Sequence, residues 1–266
     1  IGKLPVREIT PHHILKILQE TAKRGAPTVA AEARRTISSV FELAVATLRA
    51  DSDPVWPVRK AIPANKTQHK QALNPQKIGK LLSCFDNSRG SYQVNYCMWL
   101  MWWTLARPAE VTEAEWTEFD LDNALWTIPS TRMKARREHV IPLPSQVVNM
   151  LRTLQGLTGH RQHLFPGRDN PKGPMTSHSL RQLLKSLGWS GIYSPHATRT
   201  TGSTRLNELG YRPDAIEAQL AHADTNNVRR TYNHATYLDE RKVMMQEWAD
   251  KLEEWVGSAR STIDVS

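Results

Sequence analysis

The sequence predicts a mainly α-helical protein with a small antiparallel β-sheet, and three observations predict it. Apolar residues recur at helical spacing over most of the 266 residues. Two short runs alone have β-type composition, Leu125–Ile128 and His139–Ile141, and the segment between them is polar and basic. Asp51–Gln71, with prolines, lysines and arginines but no periodicity, reads as an extended linker with helices on either side.

In order along the chain, Thr10-Pro11 is an N-cap followed by proline at the first helical position, and Ile14, Leu15, Leu18 and Ala22 carry a helix to Gly25. A second helix begins near Thr28, with Ala33, Ile37, Val40, Phe41, Ala44 and Leu48 expected on one buried stripe. Past the linker, Asn74-Pro75 repeats the cap-and-proline signal for a helix bearing Ile78, Leu81, Leu82 and Phe85. A largely apolar stretch from Ser91 to Leu105 predicts a buried helix. After the two strands, helices are expected around 147–154, 180–187, 198–209, 213–221 and 238–256, interrupted by the Pro- and Gly-rich loop 165–174.

Composition narrows the function. With 35 Lys+Arg against 26 Asp+Glu the chain carries a formal +9, which favours a polyanionic partner. The charge is uneven: from Asp239 onward seven acidic side chains face four basic ones, a net of −3, which leaves +12 on the first 238 residues. A basic body and an acidic tail suggest DNA for the former and protein for the latter. The longest strongly apolar run, Cys97–Ala106, is too short for the roughly 20 residues that cross a bilayer. Two cysteines make no disulfide framework and no CxxC pair, which fits a reducing, cytoplasmic setting. No glycine-rich nucleotide loop, Gly-x-Ser-x-Gly elbow or His-Glu-x-x-His is present, so hydride transfer, ATP-driven chemistry and zinc hydrolysis lose support; no metal or cofactor is expected.

Four places carry polar residues that a purely structural sequence has little use for. Arg107 ends the buried helix and must pair, with Glu110 or Glu113, or serve a ligand. His196-x-x-Arg199 puts an imidazole and a guanidinium on one helical face, where both can meet a phosphate. Lys134 stands in the basic segment between the strands, either as part of a solvated loop or reaching towards DNA. Leu220-Ala221-His222 is followed by Tyr232, a packing residue unless other groups hold a phosphate against it. His160-x-x-His163 lacks a third ligand, and His12-His13 reads as a helix cap or surface.

Taken in order, Arg107, Lys134, His196, Arg199, His222 and Tyr232 resemble the active-site series of the tyrosine recombinases, the phage integrase family. The stretch 107-RPAEV-111 resembles the first arginine box, 196-HATRTTGSTRLNELG-210 the second, and 220-LAHADTNNVRRTYNHATY-237 the final histidine and nucleophile box. The segments 132-RMKARREHVIPL-143 and 238-LDERKVMMQEWADKL-252 are most similar to the integrases of satellite prophages and pathogenicity islands.

The resemblance implies a helical, SAM-like core-binding domain over residues 1–66 and an α+β catalytic domain over 67–266, together clamping double-stranded DNA. It implies a site-specific recombinase that integrates and excises a mobile element in the bacterial cytoplasm, at the nucleoid, as a homo-tetramer on DNA. Tyr232 would attack a phosphate, Arg107 and Arg199 stabilise the transition state, and Lys134 protonate the leaving 5′ oxygen. His196 would assist proton transfer, His222 would bond the phosphate and Glu110 would orient Arg107. Lys134 is preferred over Arg136 and Arg137 because arginine holds its proton. Tyr232 is preferred over Tyr237 by its ten-residue spacing from His222. The amino-terminal domain that such integrases carry for arm-type sites is expected to have been removed ahead of Ile1. Met244, Trp248, Leu252 and Trp255 in the tail form an apolar stripe that either docks on a neighbouring protomer or packs in cis. Two other activities remain open on the sequence: a topoisomerase-like enzyme that cuts and reseals one strand, and an inactive DNA-binding protein.

Overall fold

The computed structural model describes residues 1–61, 71–86, 88, 90–222 and 237–263; Tyr232 lies outside them. The chain divides into two compact units, Ile1–His69 and Lys70–Ser266.

In the first unit, α1 (Pro11–Lys23) and α2 (Pro27–Ala46) pack against one another. Proline opens each helix, where its missing N–H costs nothing. The N–H of Thr10 donates to His13 Nδ1 at 3.2 Å, so His13 closes the amino end of α1. Ile14 and Leu18 are fully buried, as their spacing predicts, and their partner is Val55. That placement corrects the linker reading. Asp51–Ala61 is not extended chain but folds back on the helices through a 3-10 turn at Trp56–Val58. Ser38 Oγ donates to Asp53 Oδ2 at 2.5 Å, and Arg34 donates to the Arg59 carbonyl at 2.6 Å. The α2 stripe is also narrower than expected: Phe41 and Ala44 are buried, whereas Val40 is exposed and Leu48, past the helix end, is 82% exposed.

The second unit is built around α4 (Tyr92–Thr104), whose residues Cys97–Thr104 are all buried. The unit begins with α3 (Pro75–Asp86), capped by Asn74 Oδ1, which accepts from Lys77 N–H at 2.9 Å. After α4 comes the short α5 (Pro108–Thr112), then a three-stranded antiparallel sheet in the order β1 (Phe119–Asp120), β2 (Leu125–Ile128), β3 (His139–Pro142). Trp126 pairs with Phe119 on one side and Ile141 on the other. The rest is helical: α6 (Ser145–Thr158), α7 (Ser177–Ser186), α8 (Ala197–Glu208), α9 (Pro213–Gln219) and α10 (Leu238–Ile263). None of the described helices is long and apolar enough to cross a membrane.

The acidic tail of the sequence is α10, and its apolar stripe is spent inside the unit. Met244, Trp248 and Leu252 are fully buried, and Trp248 Nε1 donates to the Trp102 carbonyl at 2.7 Å. The helix lies along α3, and Gly79 is the point of closest approach: a Cβ there would overlap the Trp255 carbonyl oxygen and sit 2.6 Å from its carbon. Of the two readings of the stripe, this chain by itself shows the packing in cis. An amphipathic helix buries its apolar face wherever the nearest apolar surface is, and α3 and α4 supply one in cis.

Candidate active site

Two helix carboxyl ends and one helix amino end assemble the site. α4 stops at Leu105, which adopts a left-handed conformation (φ 56°) and is fully buried. The chain then runs extended through Arg107 into α5, with Pro108 at the first helical position. α9 stops at Leu220, and Ala221 is again left-handed (φ 46°). Its N–H donates to Ala218 O at 3.2 Å, and the His222 N–H to Glu217 O at 3.1 Å, which is the Schellman arrangement usually given to glycine. A non-glycine residue in this region costs roughly 1–2 kcal/mol, so each turn is held by its surroundings.

Those surroundings are two arginines. Arg107 donates through its backbone N–H to Glu110 Oε2 and through Nη1 to Oε1, both at 2.7 Å. Its Nη2 reaches the Ala221 carbonyl at 3.3 Å, and 30% of the side chain stays accessible. The sequence left Glu110 and Glu113 open as partners; Glu110 is the partner, and it is buried. Arg199, on the first turn of α8, is 8% exposed. Its Nη1 donates to the Leu105 carbonyl at 2.7 Å and its Nη2 to the Leu220 carbonyl. A buried cation thus faces the negative ends of two helices rather than a carboxylate. Burial first, and repulsion from Arg107 second, push its pKa down to about 10, with Glu110 and Glu217 opposing, so it remains charged at neutral pH. Arg107 and Arg199 thereby form one electropositive pair around the Leu220–Ala221 turn.

Gly202 marks a close approach of α8 to Leu105. A Cβ on Gly202 would overlap Leu105 Cδ2 and lie 2.6 Å from Cδ1 and 3.1 Å from Cγ. With a Cβ at 202 either the Leu105 side chain or α8 would have to shift, beside the carbonyl that Arg199 reaches.

His222 follows directly; its Nδ1 pairs with Glu217 Oε2 at 2.7 Å and its ring is exposed. His196 is the N-cap residue of α8, three positions before Arg199 and just outside the helix, and its side chain is also exposed. Lys134 is exposed in the turn between β2 and β3. Arg107, Arg199 and the start of the His222 segment are therefore brought together by direct bonds, while Lys134 and His196 make no side-chain hydrogen bond among the described residues. Tyr237, the rival nucleophile, has the Arg212 guanidinium 4.7 Å over its ring, and its carbonyl accepts from Arg241 N–H at the start of α10.

Beneath the arginines lies a buried polar layer that the sequence reading passed over. Gln219 is fully buried; its Nε2 donates to the Thr104 carbonyl at 2.8 Å, and its Oε1 accepts from Arg241 Nε at 2.9 Å and Nη2 at 2.8 Å. Arg241 also donates to the Val140 carbonyl at 2.6 Å. His139 on β3 donates from Nε2 to the Gln219 carbonyl at 3.1 Å. Burial, and then the positive charge of Arg241, lower the His139 pKa to about 4, so the ring is neutral. The ends of α4 and α9, strand β3 and the start of α10 are fastened together behind the site. The one sequence signal was an arginine, Arg241, inside the acidic tail. Among the described residues no three His, Cys, Asp or Glu side chains converge to hold a metal ion, and His160 and His163 are included in that statement.

Two arginines are paired at the turn that leads into His222, and the chain belongs to the phage integrase family. Residues 71–238 match that family and residues 1–61 match the phage integrase central domain. The chain is 35% identical to the prophage integrase IntA of Escherichia coli (strain K12), over 94% of this chain and 60% of that protein. It is 34% identical to the integrase of Shigella phage Sf6 (96% and 67%), and 31% identical to that of Enterobacteria phage P4 (95% and 61%). It thus spans about 60–67% of the length of these relatives. The fold is similar to that of the Tn1549 transposon integrase in complex with circular intermediate DNA (TM-score 0.62, 18% identity, 91% of this chain and 87% of that one). It is also similar to a lambda integrase dimer bound to a COC′ core site (TM-score 0.64, 17% identity, 84% and 82%).

Proposed function

We propose that this chain is a site-specific DNA recombinase that cuts and rejoins strands through a covalent 3′-phosphotyrosyl intermediate, integrating and excising a mobile element. The observation that carries this reading is the pairing of Arg107 and Arg199 on the Leu220–Ala221 turn, immediately before His222 and ten residues before Tyr232. Two fixed guanidiniums supply up to four N–H donors to the non-bridging oxygens of one phosphate, and their charge opposes the charge that develops at phosphorus.

In this mechanism the Tyr232 oxygen attacks phosphorus and the bond to the 5′ oxygen breaks. Lys134 gives the leaving oxygen its proton, and His196 takes up the proton that Tyr232 releases. In its protonated form His222 donates from Nδ1 to Glu217 and from Nε2 to the phosphate. The 5′-hydroxyl of a second strand reverses the step, so the energy of the phosphodiester is kept in the protein link. Tyr232 is favoured over Tyr237 by its ten-residue spacing from His222. Residues 1–66 serve as the core-site DNA-binding domain and 67–266 as the catalytic domain. A tetramer of the chain on two duplexes completes strand exchange, as a tetramer is the form in which lambda integrase is bound to a Holliday junction. Its place of action is the bacterial cytoplasm, at the nucleoid.

The test is covalent capture. A nicked duplex, its sequence selected from a randomised pool, should yield in EDTA a protein–DNA adduct that survives a denaturing gel. Tyr232→Phe should abolish it, and an adduct that persists in that variant overturns the assignment of the nucleophile.

A further inference from the structure

We infer that Arg132 is a positioning residue that sets Lys134, the proton donor to the leaving oxygen, relative to the phosphate-binding Arg107. The inference rests on the reading of Lys134 given above and extends it to a residue that the function had not used.

The segment 129–138 joins β2 to β3 and contains four of the chain's basic residues, which on a solvated loop would all face water. They do not. Lys134, Arg136 and Arg137 are exposed, but the Arg132 side chain is 15% accessible and ion-paired with the buried Glu118. Glu118 is itself fixed, since Trp126 Nε1 on β2 donates to its Oε2 at 2.9 Å. The other arm of the same guanidinium, Nη2, donates to the backbone carbonyl of Glu110 at 2.7 Å. Glu110 is the residue whose carboxylate grips Arg107 twice. A continuous chain of bonds therefore runs from the hairpin through Arg132 and Glu110 to Arg107.

Lys134 sits two residues from that tether, at most about 7 Å away along the backbone. Between them Met133 is buried and plugs the hairpin into the core. Three backbone bonds shape the turn: Arg132 N–H to Pro129 O at 3.0 Å, Met133 N–H to Ser130 O at 3.2 Å and Arg136 N–H to Met133 O at 2.9 Å. The exposed lysine thus projects from a stretch held by the half-buried Arg132 and the buried Met133. A buried ion pair is a poor device for stability alone, because apolar residues of similar volume serve as well or better. What a guanidinium fork adds is direction: it bridges two acceptors on different elements in one plane, which a leucine or a lysine cannot do.

The test uses the leaving group. With an ordinary substrate the Tyr232 O–P bond forms, the P–O5′ bond breaks and Lys134 protonates O5′. With sulfur in place of O5′, the departing thiolate of a group with pKa about 8.5 needs no proton, so loss of a correctly placed donor no longer matters. The chain and its variants are compared on the two nicked duplexes under single-turnover conditions, with melting temperatures recorded. Lys134→Ala should slow the oxygen substrate by about 10²–10⁴ and the sulfur substrate little. Arg132→Met combined with Glu118→Gln removes the tether while leaving no unpaired buried charge. It should slow the oxygen substrate by roughly 10², the size expected of a misplaced group, and spare the sulfur substrate. Arg132→Lys keeps the charge opposite Glu118 without the fork and should show a smaller loss of the same selectivity. Equal losses on both substrates, or no loss in whichever of the two Arg132 variants folds, overturns the positioning role. Equal slowing in Lys134→Ala instead overturns the general-acid reading itself.

Discussion

Gly79→Ala tests how the tail helix is seated, and its sign is decided by two opposing magnitudes. Alanine in place of glycine inside a helix ordinarily stabilises by about 1 kcal/mol. Against that, the new Cβ would overlap the Trp255 carbonyl oxygen and lie 2.6 Å from its carbon, where ordinary contact begins at 3.4 Å. The obstacle is backbone, so no rotamer change relieves it. α3 and α10 must part by roughly 1 Å, which forfeits a quarter to a half of the dispersion at each separated contact. Overpacking of this kind costs about 1–3 kcal/mol or more, and here it extends along a helix pair that buries Trp248 and Leu252. With that cost in the upper half of its range, the expected net loss is about 1–2 kcal/mol, a fall in Tm of roughly 2–8 °C for a unit of this size. Differential scanning calorimetry, with limited proteolysis to detect release of the carboxyl-terminal helix, reads it. An unchanged or raised Tm would refute the close approach of α3 and α10, and with it the cis packing of the tail.

Three further outcomes follow from the site. Arg199→Ala should lower covalent cleavage by about 10²–10³, as removal of a transition-state donor does, while affinity for duplex DNA changes little because it is spread over many phosphates; comparable losses in both, measured by gel shift and adduct yield, would contradict the clamp. Gly202→Ala should displace Leu105, lowering Tm through about 1–3 kcal/mol of overpacking and cleavage by roughly tenfold, and a variant with wild-type cleavage would show that Arg199 does not depend on that carbonyl. The neutral His139, with its pKa near 4 against an ordinary 6.5, binds fewer protons folded than unfolded, so it contributes stability that is present above pH 6.5 and lost as pH falls towards 4. The contribution is up to about 3 kcal/mol, and urea unfolding between pH 7 and 4.5 should show a shallower loss in His139→Gln than in the parent; parallel curves would contradict the buried neutral ring.

The elements legible in the sequence were those with a strong periodic signal or a proline at the first turn: α1, α3, the apolar α4 and the two longer strands. α5 and β1 were not, because five and two residues are too few to show a period. Val55 was misread because one apolar residue among prolines has no pattern, although it completes the core of the first unit. The tail stripe was visible as a stripe, but its partner was not, since amphipathicity says that a face is buried and not by what. At the site, motif order supplied Arg107, Lys134, His196, Arg199, His222 and Tyr232. What it could not supply was the tertiary logic behind them. Gly202 matters only because Leu105 stands opposite. Gln219 and Arg241 matter because they join four chain segments distant in sequence, and Arg132 because one guanidinium spans Glu118 and Glu110.

The most direct measurement is the location of the covalent link. After capture on a nicked duplex and nuclease trimming, trypsin should release Thr231–Arg241, which contains both Tyr232 and Tyr237. Fragmentation in the mass spectrometer separates them. The mechanism predicts a 3′-nucleotide on the oxygen of Tyr232; a nucleotide on Tyr237, or on no tyrosine, would contradict it.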